Sequence, residues 1–264
     1  MPRYTSYRTE AVILRRHDFA ETDRILTLYT PTHGKLRAIA KGVRRITSRR
    51  SGHVELLTRA KVLLASGREL DVLTQVEALD SFRPLRENLY LTACGYYVAE
   101  LVDRVVADRI ENPRLYGLLV STLERLATEQ RPEVTLRYFE LHLVRLIGYE
   151  PVLNRCVICS TMLEPGSHQL APQEGGTVCG RCTVGTVQAR SLSVNCLKAL
   201  RWLSQDSYTE AIRLRMGPDL SGEVTRILHS YLRYVVEDEI RSASFIDLVK
   251  ALSTAKPDAG DLSA

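Results

Sequence analysis

Four of the six cysteines fall as Cys156-Val157-Ile158-Cys159 and Cys179-Gly180-Arg181-Cys182, two C-x-x-C pairs separated by 19 residues. Each pair can present two thiolates from one tight turn, and two such turns complete a tetrahedron around Zn²⁺. The intervening stretch contains Pro165-Gly166 and Gly175-Gly176, which suits a β-hairpin or loop. It has too few large apolar residues to fold alone, so a bound metal would supply the missing stability. Four thiolates also close the coordination sphere and leave no place for an activated water, which points to a structural site, with one Zn²⁺ per chain. His168 could replace one thiolate, and a pair of disulfides or a redox dithiol are the competing readings. Cys94 and Cys196 sit on apolar helix faces and read as buried core.

A chain of 264 residues with 45% hydrophobic and 25% charged residues can bury a substantial core. No apolar run approaches the roughly 18 residues that span a bilayer, and the first residues lack a secretory signal. A cytoplasmic location is therefore expected, where reduced thiols favour metal over disulfides. Charge is unevenly placed. Residues 1–83 hold 16 Lys/Arg against 9 Asp/Glu, a net +7, while residues 84–264 hold 20 against 22, a net −2. A basic first part joined to a near-neutral remainder suggests a polyanionic partner for the former.

The first 80 residues read as about five short strands: 11–14, 24–30, 36–40, 60–65 and 70–79, separated by turns such as Pro31-Thr32-His33-Gly34. That spacing suits a small closed barrel of OB or SH3-like type. Pro84 marks a switch from period 2 to period 3.6, with one long helix expected to end near Asp108. Further helices are expected from Asn112-Pro113, from Pro132 to Gly148, from Ser193, and from about Leu220 to Glu239. Residues 252–264 lack an apolar pattern and are expected to fray.

Between Lys35 and Val54 there is no acidic residue, yet Lys35, Arg37, Lys41, Arg44, Arg45, Arg49 and Arg50 are all present. On a strand Lys35, Arg37 and Lys41 share parity and would face one way, with the arginines following on a loop. Such a surface suits a phosphate backbone, and these seven residues are the candidate nucleic-acid contacts. Few aromatics interleave them, so an electrostatic mode is expected. Nucleotide-binding loops, dinucleotide fingerprints and zinc-protease or deaminase motifs are absent, and the consecutive Glu237, Asp238 and Glu239 spread around a helix end. No catalytic residue is expected.

Three segments resemble one family. Glu10 to Arg45, Leu70 to Phe82 and Phe139 to Cys159 are similar to the bacterial recombination mediator family RecO, in the expected order. The resemblance implies an α+β chain: an N-terminal five-stranded OB-fold barrel, then an α-helical bundle with an inserted four-cysteine zinc module. The expected boundaries are 1–82 for the barrel, 83–151 and 189–250 for the helical parts, 152–188 for the zinc module, and 251–264 for a flexible tail. It further implies a non-enzymatic role in DNA repair: binding single- and double-stranded DNA, annealing complementary strands, and acting with RecR, sometimes RecF, to load RecA on SSB-coated DNA. One departure is Ser160, where the family often has Gly, which bears on the turn of the first knuckle. A different class of function, a protein–protein scaffold whose basic barrel recruits an acidic partner, stands as the alternative.

Overall fold

The computed structural model describes residues 5–46, 48, 50–128, 130–183 and 189–254. Strands β1 (Ser6–Phe19), β2 (Asp23–Thr30), β3 (Gly34–Ala40), β4 (Arg59–Ala65) and β5 (Asp71–Asp80) close into a barrel of order β1-β2-β3-β5-β4. β1 returns to pair with β4, and β3 meets β5 in parallel through only Ala38–Asp71 and Ile39–Val72. This is the OB fold implied by the sequence. Its interior is filled by alternate residues such as Ala11, Ile13, Leu26, Leu28, Leu36 and Leu64, as the two-residue period of a half-buried strand requires.

The short β3–β5 seam is completed from outside. Asp108, in the segment between helices, bridges to Lys35, and Arg109 N–H donates to the Lys35 carbonyl at 2.8 Å. Gly34 makes that approach possible. It adopts φ +62°, and a Cβ there would lie 2.2 Å from the Ile110 carbonyl oxygen. Arg109 also reaches the buried Asp71 carboxylate at 3.1 Å, beside the Tyr7 hydroxyl and the Gly67 N–H. Burial works against ionisation of Asp71, but hydrogen bonds from Arg109, Tyr7 and Gly67 outweigh it and hold the carboxyl below the usual range.

Outside the cysteine segment the remainder is helical: α1 (Pro84–Glu87), α2 (Leu89–Val105), α3 (Pro113–Thr128), α4 (Pro132–Leu146), α5 (Val194–Leu203), α6 (Tyr208–Ala211), α7 (Pro218–Val236) and α8 (Arg241–Thr254). The single helix expected up to Asp108 is instead two. Asn88 leaves the helical region and its side chain caps the Tyr90 and Leu91 N–H groups, a role for which a short polar side chain is suited. That helix also stops at Val105, which frees the following residues to dock on the barrel.

Helix α8 has no counterpart among the helices expected from the sequence, and regular structure runs further than expected. Residues 251–254 belong to that helix, whereas 255–264 lie outside the described residues. Its apolar residues do not form one stripe: Ile246 and Val249 are buried on the side that packs against α2, while Leu248 and Leu252 face outwards.

One apolar cluster joins these helices to the outer face of the barrel through Val12, Leu14, Tyr29 and Leu57. The cysteine segment belongs to the same cluster through Leu153, Leu170, Val178 and Leu192. Inside it, the buried Glu140 accepts from Arg137 at 2.8 Å and from the Tyr97 hydroxyl at 2.6 Å.

Candidate nucleic-acid interface and metal centre

The cysteine segment folds as a three-stranded antiparallel sheet of order β7-β6-β8, from β6 (His168–Ala171), β7 (Gly176–Cys179) and β8 (Arg190–Leu192). The expected hairpin is β6–β7, and β8 adds a third strand. Gly176 packs so tightly on Val152 that a Cβ would meet its carbonyl oxygen at 2.6 Å. This approach and the Val157 N–H to Thr177 carbonyl bond seat the first cysteine turn against the second.

All four sulphurs of Cys156, Cys159, Cys179 and Cys182 lie within 4.8 Å of one another, and Cys159 and Cys179 are 3.8 Å apart. A tetrahedral thiolate site with metal–sulphur bonds of about 2.3 Å has edges of about 3.8 Å, so the donor set and its spacing fit such an ion. The crowding shows in the acidities. The Thr161 hydroxyl and backbone beside Cys159 lower its thiol to about 6, while neighbouring Cys159 and Cys179 push Cys182 up to about 12. Cys156 is buried, and its sulphur accepts from the Cys179 N–H at 3.4 Å.

Ser160 turns the first knuckle at φ +59° and donates its N–H to the Cys156 carbonyl. This left-handed conformation explains why glycine suits the position. His168 faces elsewhere, its Nε2 lying 2.6 Å from the Glu164 carbonyl oxygen. Cys94 and Cys196 are fully buried core residues, and burial pushes both thiols up to about 12.

The basic run of the barrel divides into two sets. Lys35 is tied to the end of α2, with Nζ at 3.4 Å from Asp103 and 3.5 Å from Asp108. Arg50 folds back on the barrel and donates to the carbonyls of Lys41, Leu73 and Thr74, closing the far end of the β3–β5 seam. Arg44 joins the loop to the β1–β2 hairpin through Asp18 and the Ala20 carbonyl. Arg37, Lys41 and Arg45 are exposed, and among the described residues their cationic groups have no hydrogen bond or ion pair. Lys41 lies in the turn after β3, not on the strand with Lys35 and Arg37. Arg49 lies outside the described residues.

Cross-strand register shows which residues accompany the free cations. Arg37 stands opposite Thr27, and Thr27 opposite Arg15; in the next row are Ile39, Ile25 and His17, followed by Phe19 opposite Asp23. Residues directly opposite share a face, so Arg15, His17 and Phe19 lie on the same outer surface as Arg37. Sequence parity alone hides this. A bulge between Ile13 and Arg15 switches the face that β1 presents, as an inserted residue does.

The sequence matches the family description "Recombination protein O N terminal" over residues 2–82 and "Recombination protein O C terminal" over residues 86–244. The chain belongs to the RecO family of DNA repair proteins. It is similar to the DNA repair protein RecO of Roseiflexus sp. (strain RS-1), with 39% identity over 95% of this chain and 89% of that protein. It is also similar to RecO of Dehalococcoides mccartyi (strain BAV1), with 34% identity over 95% of this chain and 98% of its relative. RecO of Pelotomaculum thermopropionicum is 36% identical over 91% and 93% of the respective chains. The two family matches divide between Phe82 and Arg86, where the barrel gives way to α1.

Proposed function

We propose that this chain is a non-enzymatic DNA-binding protein of recombinational repair that brings complementary strands together. The observation that carries the reading is the free set Arg37, Lys41 and Arg45, exposed on one end of a barrel that Arg50 and Arg44 hold in place. Cations without protein partners can replace counterions along a phosphate backbone, and they bind it with little sequence preference. Screening of two backbones by one basic surface lowers their repulsion, so annealing needs binding energy and local concentration rather than nucleotide hydrolysis.

Cys156, Cys159, Cys179 and Cys182 would hold one structural Zn²⁺. The ion would supply a cross-link between two turns and, in a closed thiolate shell, no activated water. The chain's own part is the pair of knuckles, seated by Gly176 on Val152. Family membership supports the finer roles: RecR as a partner, SSB-coated single strands as the substrate for RecA loading, RecF as a further partner, and a cytoplasmic, nucleoid-associated location. No helix among the described residues is long and apolar enough to cross a membrane.

Binding of a labelled single strand across a salt series tests the reading. The expected result is affinity that falls steeply with salt, to a similar degree for unrelated sequences. Salt-independent binding, or binding of an acidic protein in preference to DNA, would favour a scaffold instead.

A further inference from the structure

No aromatic residue lies in the basic run from Lys35 to Arg50, yet the barrel brings one to it. Phe19 ends β1 opposite Asp23, and Lys41 is held beside Asp23 because the Gly42 N–H donates to that carboxylate at 2.7 Å. Phe19 is 47% exposed, and the half-buried Ile25 and Ile39 lie on the same face, so the apolar surface here is a patch and not a single side chain. Next to it the outer face continues through His17, Ile25 and Ile39 to Arg37, across about 10 Å of sheet. The other end of the same face, at Tyr29 and Val12, is fully buried under the helices, which leaves this half as the open part.

We infer that this half-face is a stacking platform for the bases of an unpaired DNA strand, with Phe19 as its base-stacking residue. The inference deepens the DNA-binding reading above and rests on it. Charge selects the occupant. Asp18 accepts from Arg24 at 2.9 Å and faces Arg44, and Asp23 accepts from Gly42 and Thr22, so two of the three acids at this end are internally engaged and only Glu21, in the turn after Phe19, is left exposed. Besides Glu21 at the tip, what remains outward is an apolar ring bordered by three cations, Arg37, Lys41 and Arg45, so positive charge prevails around it. Phosphates meet the cations, and base faces meet Phe19 and the half-buried Ile25 and Ile39. A duplex hides its base faces, whereas an unpaired strand offers them, and every base has a π-face that stacks regardless of sequence.

An oligo-dT strand and an abasic strand of equal length and charge separate stacking from electrostatics. The wild type is expected to bind oligo-dT about tenfold more tightly, the order expected for one stacked base. Phe19→Ala should abolish that preference while leaving the salt slope unchanged, and the exposure of Phe19 makes a folding defect avoidable. Phe19→Trp should restore the preference, and its indole fluorescence should be quenched by oligo-dT but not by the abasic strand. Trp202, the one native tryptophan, gives the wild-type background for that signal. Equal binding of the two strands by the wild type, or a full preference retained in Phe19→Ala, would overturn the platform and leave the electrostatic reading intact. Binding of neither strand would overturn both.

Discussion

The Arg50 guanidinium donates to the Lys41 carbonyl oxygen at 2.8 Å and to the Leu73 and Thr74 carbonyls at 3.4 Å. One side chain thus ties the end of β3 to β5 where the strands themselves pair through only two residues. Basic residues close in sequence therefore have different physical tasks. Arg50→Ala is expected to lower stability by about 1–3 kcal/mol, because it leaves carbonyls without their charged donor, with little change in the salt dependence of DNA binding. Replacing Arg37, Lys41 and Arg45 together with Ala should do the reverse. Tm should hold, while the slope of log affinity against log salt flattens by about 0.7 for each phosphate no longer engaged. Thermal melts and salt titrations on the two variants check this directly.

Metal removal should be felt as loss of structure. Elemental analysis is expected to find about one equivalent of zinc per chain. Cys179→Ser should lose most of it and lower the melting temperature, because the sulphurs anchor two turns across a single small site. A fully stable, metal-free wild type would contradict the assignment.

The knuckle turn offers a gain instead of a loss. Ser160 adopts φ +59°, where a side chain is disfavoured and glycine is not. Ser160→Gly is expected to stabilise the module by about 0.5–1 kcal/mol, seen as slower zinc release to a chelator. Faster release would show that the serine side chain supplies more than the strain costs.

How much of the fold and site is legible in the residues depends on the range of the interactions. The barrel strands are readable because a half-buried strand repeats every two residues, and the four-cysteine cluster because two C-x-x-C turns carry their own short spacing. What stays hidden is non-local. Nothing near Lys35 in sequence announces Asp103 and Asp108, and nothing near Arg50 announces the Leu73 and Thr74 carbonyls. Phe19 is concealed by the bulge in β1, and α8 by apolar residues divided between α2 and the surface.

Acid should expose a buried histidine. Burial, with Arg137 and Lys250 nearby, lowers His229 to about 3, against about 6.5 unfolded. The unfolded state then binds the proton more readily, so stability is full above the unfolded value and falls as pH drops from about 6.5 towards 3. Between pH 6.5 and 5 this group alone accounts for a loss of up to about 2 kcal/mol. His229→Gln should flatten that part of the stability profile, measured by denaturant titration at each pH. An unchanged slope would assign the loss to other groups.

The most direct test of the central claim is a fluorescence annealing assay with complementary strands, run without ATP or magnesium. The expected result is acceleration over spontaneous pairing that declines with salt and is lost when Arg37, Lys41 and Arg45 are replaced together. Annealing that appears only with ATP, or cleavage of the strands, would contradict a mediator acting by binding alone.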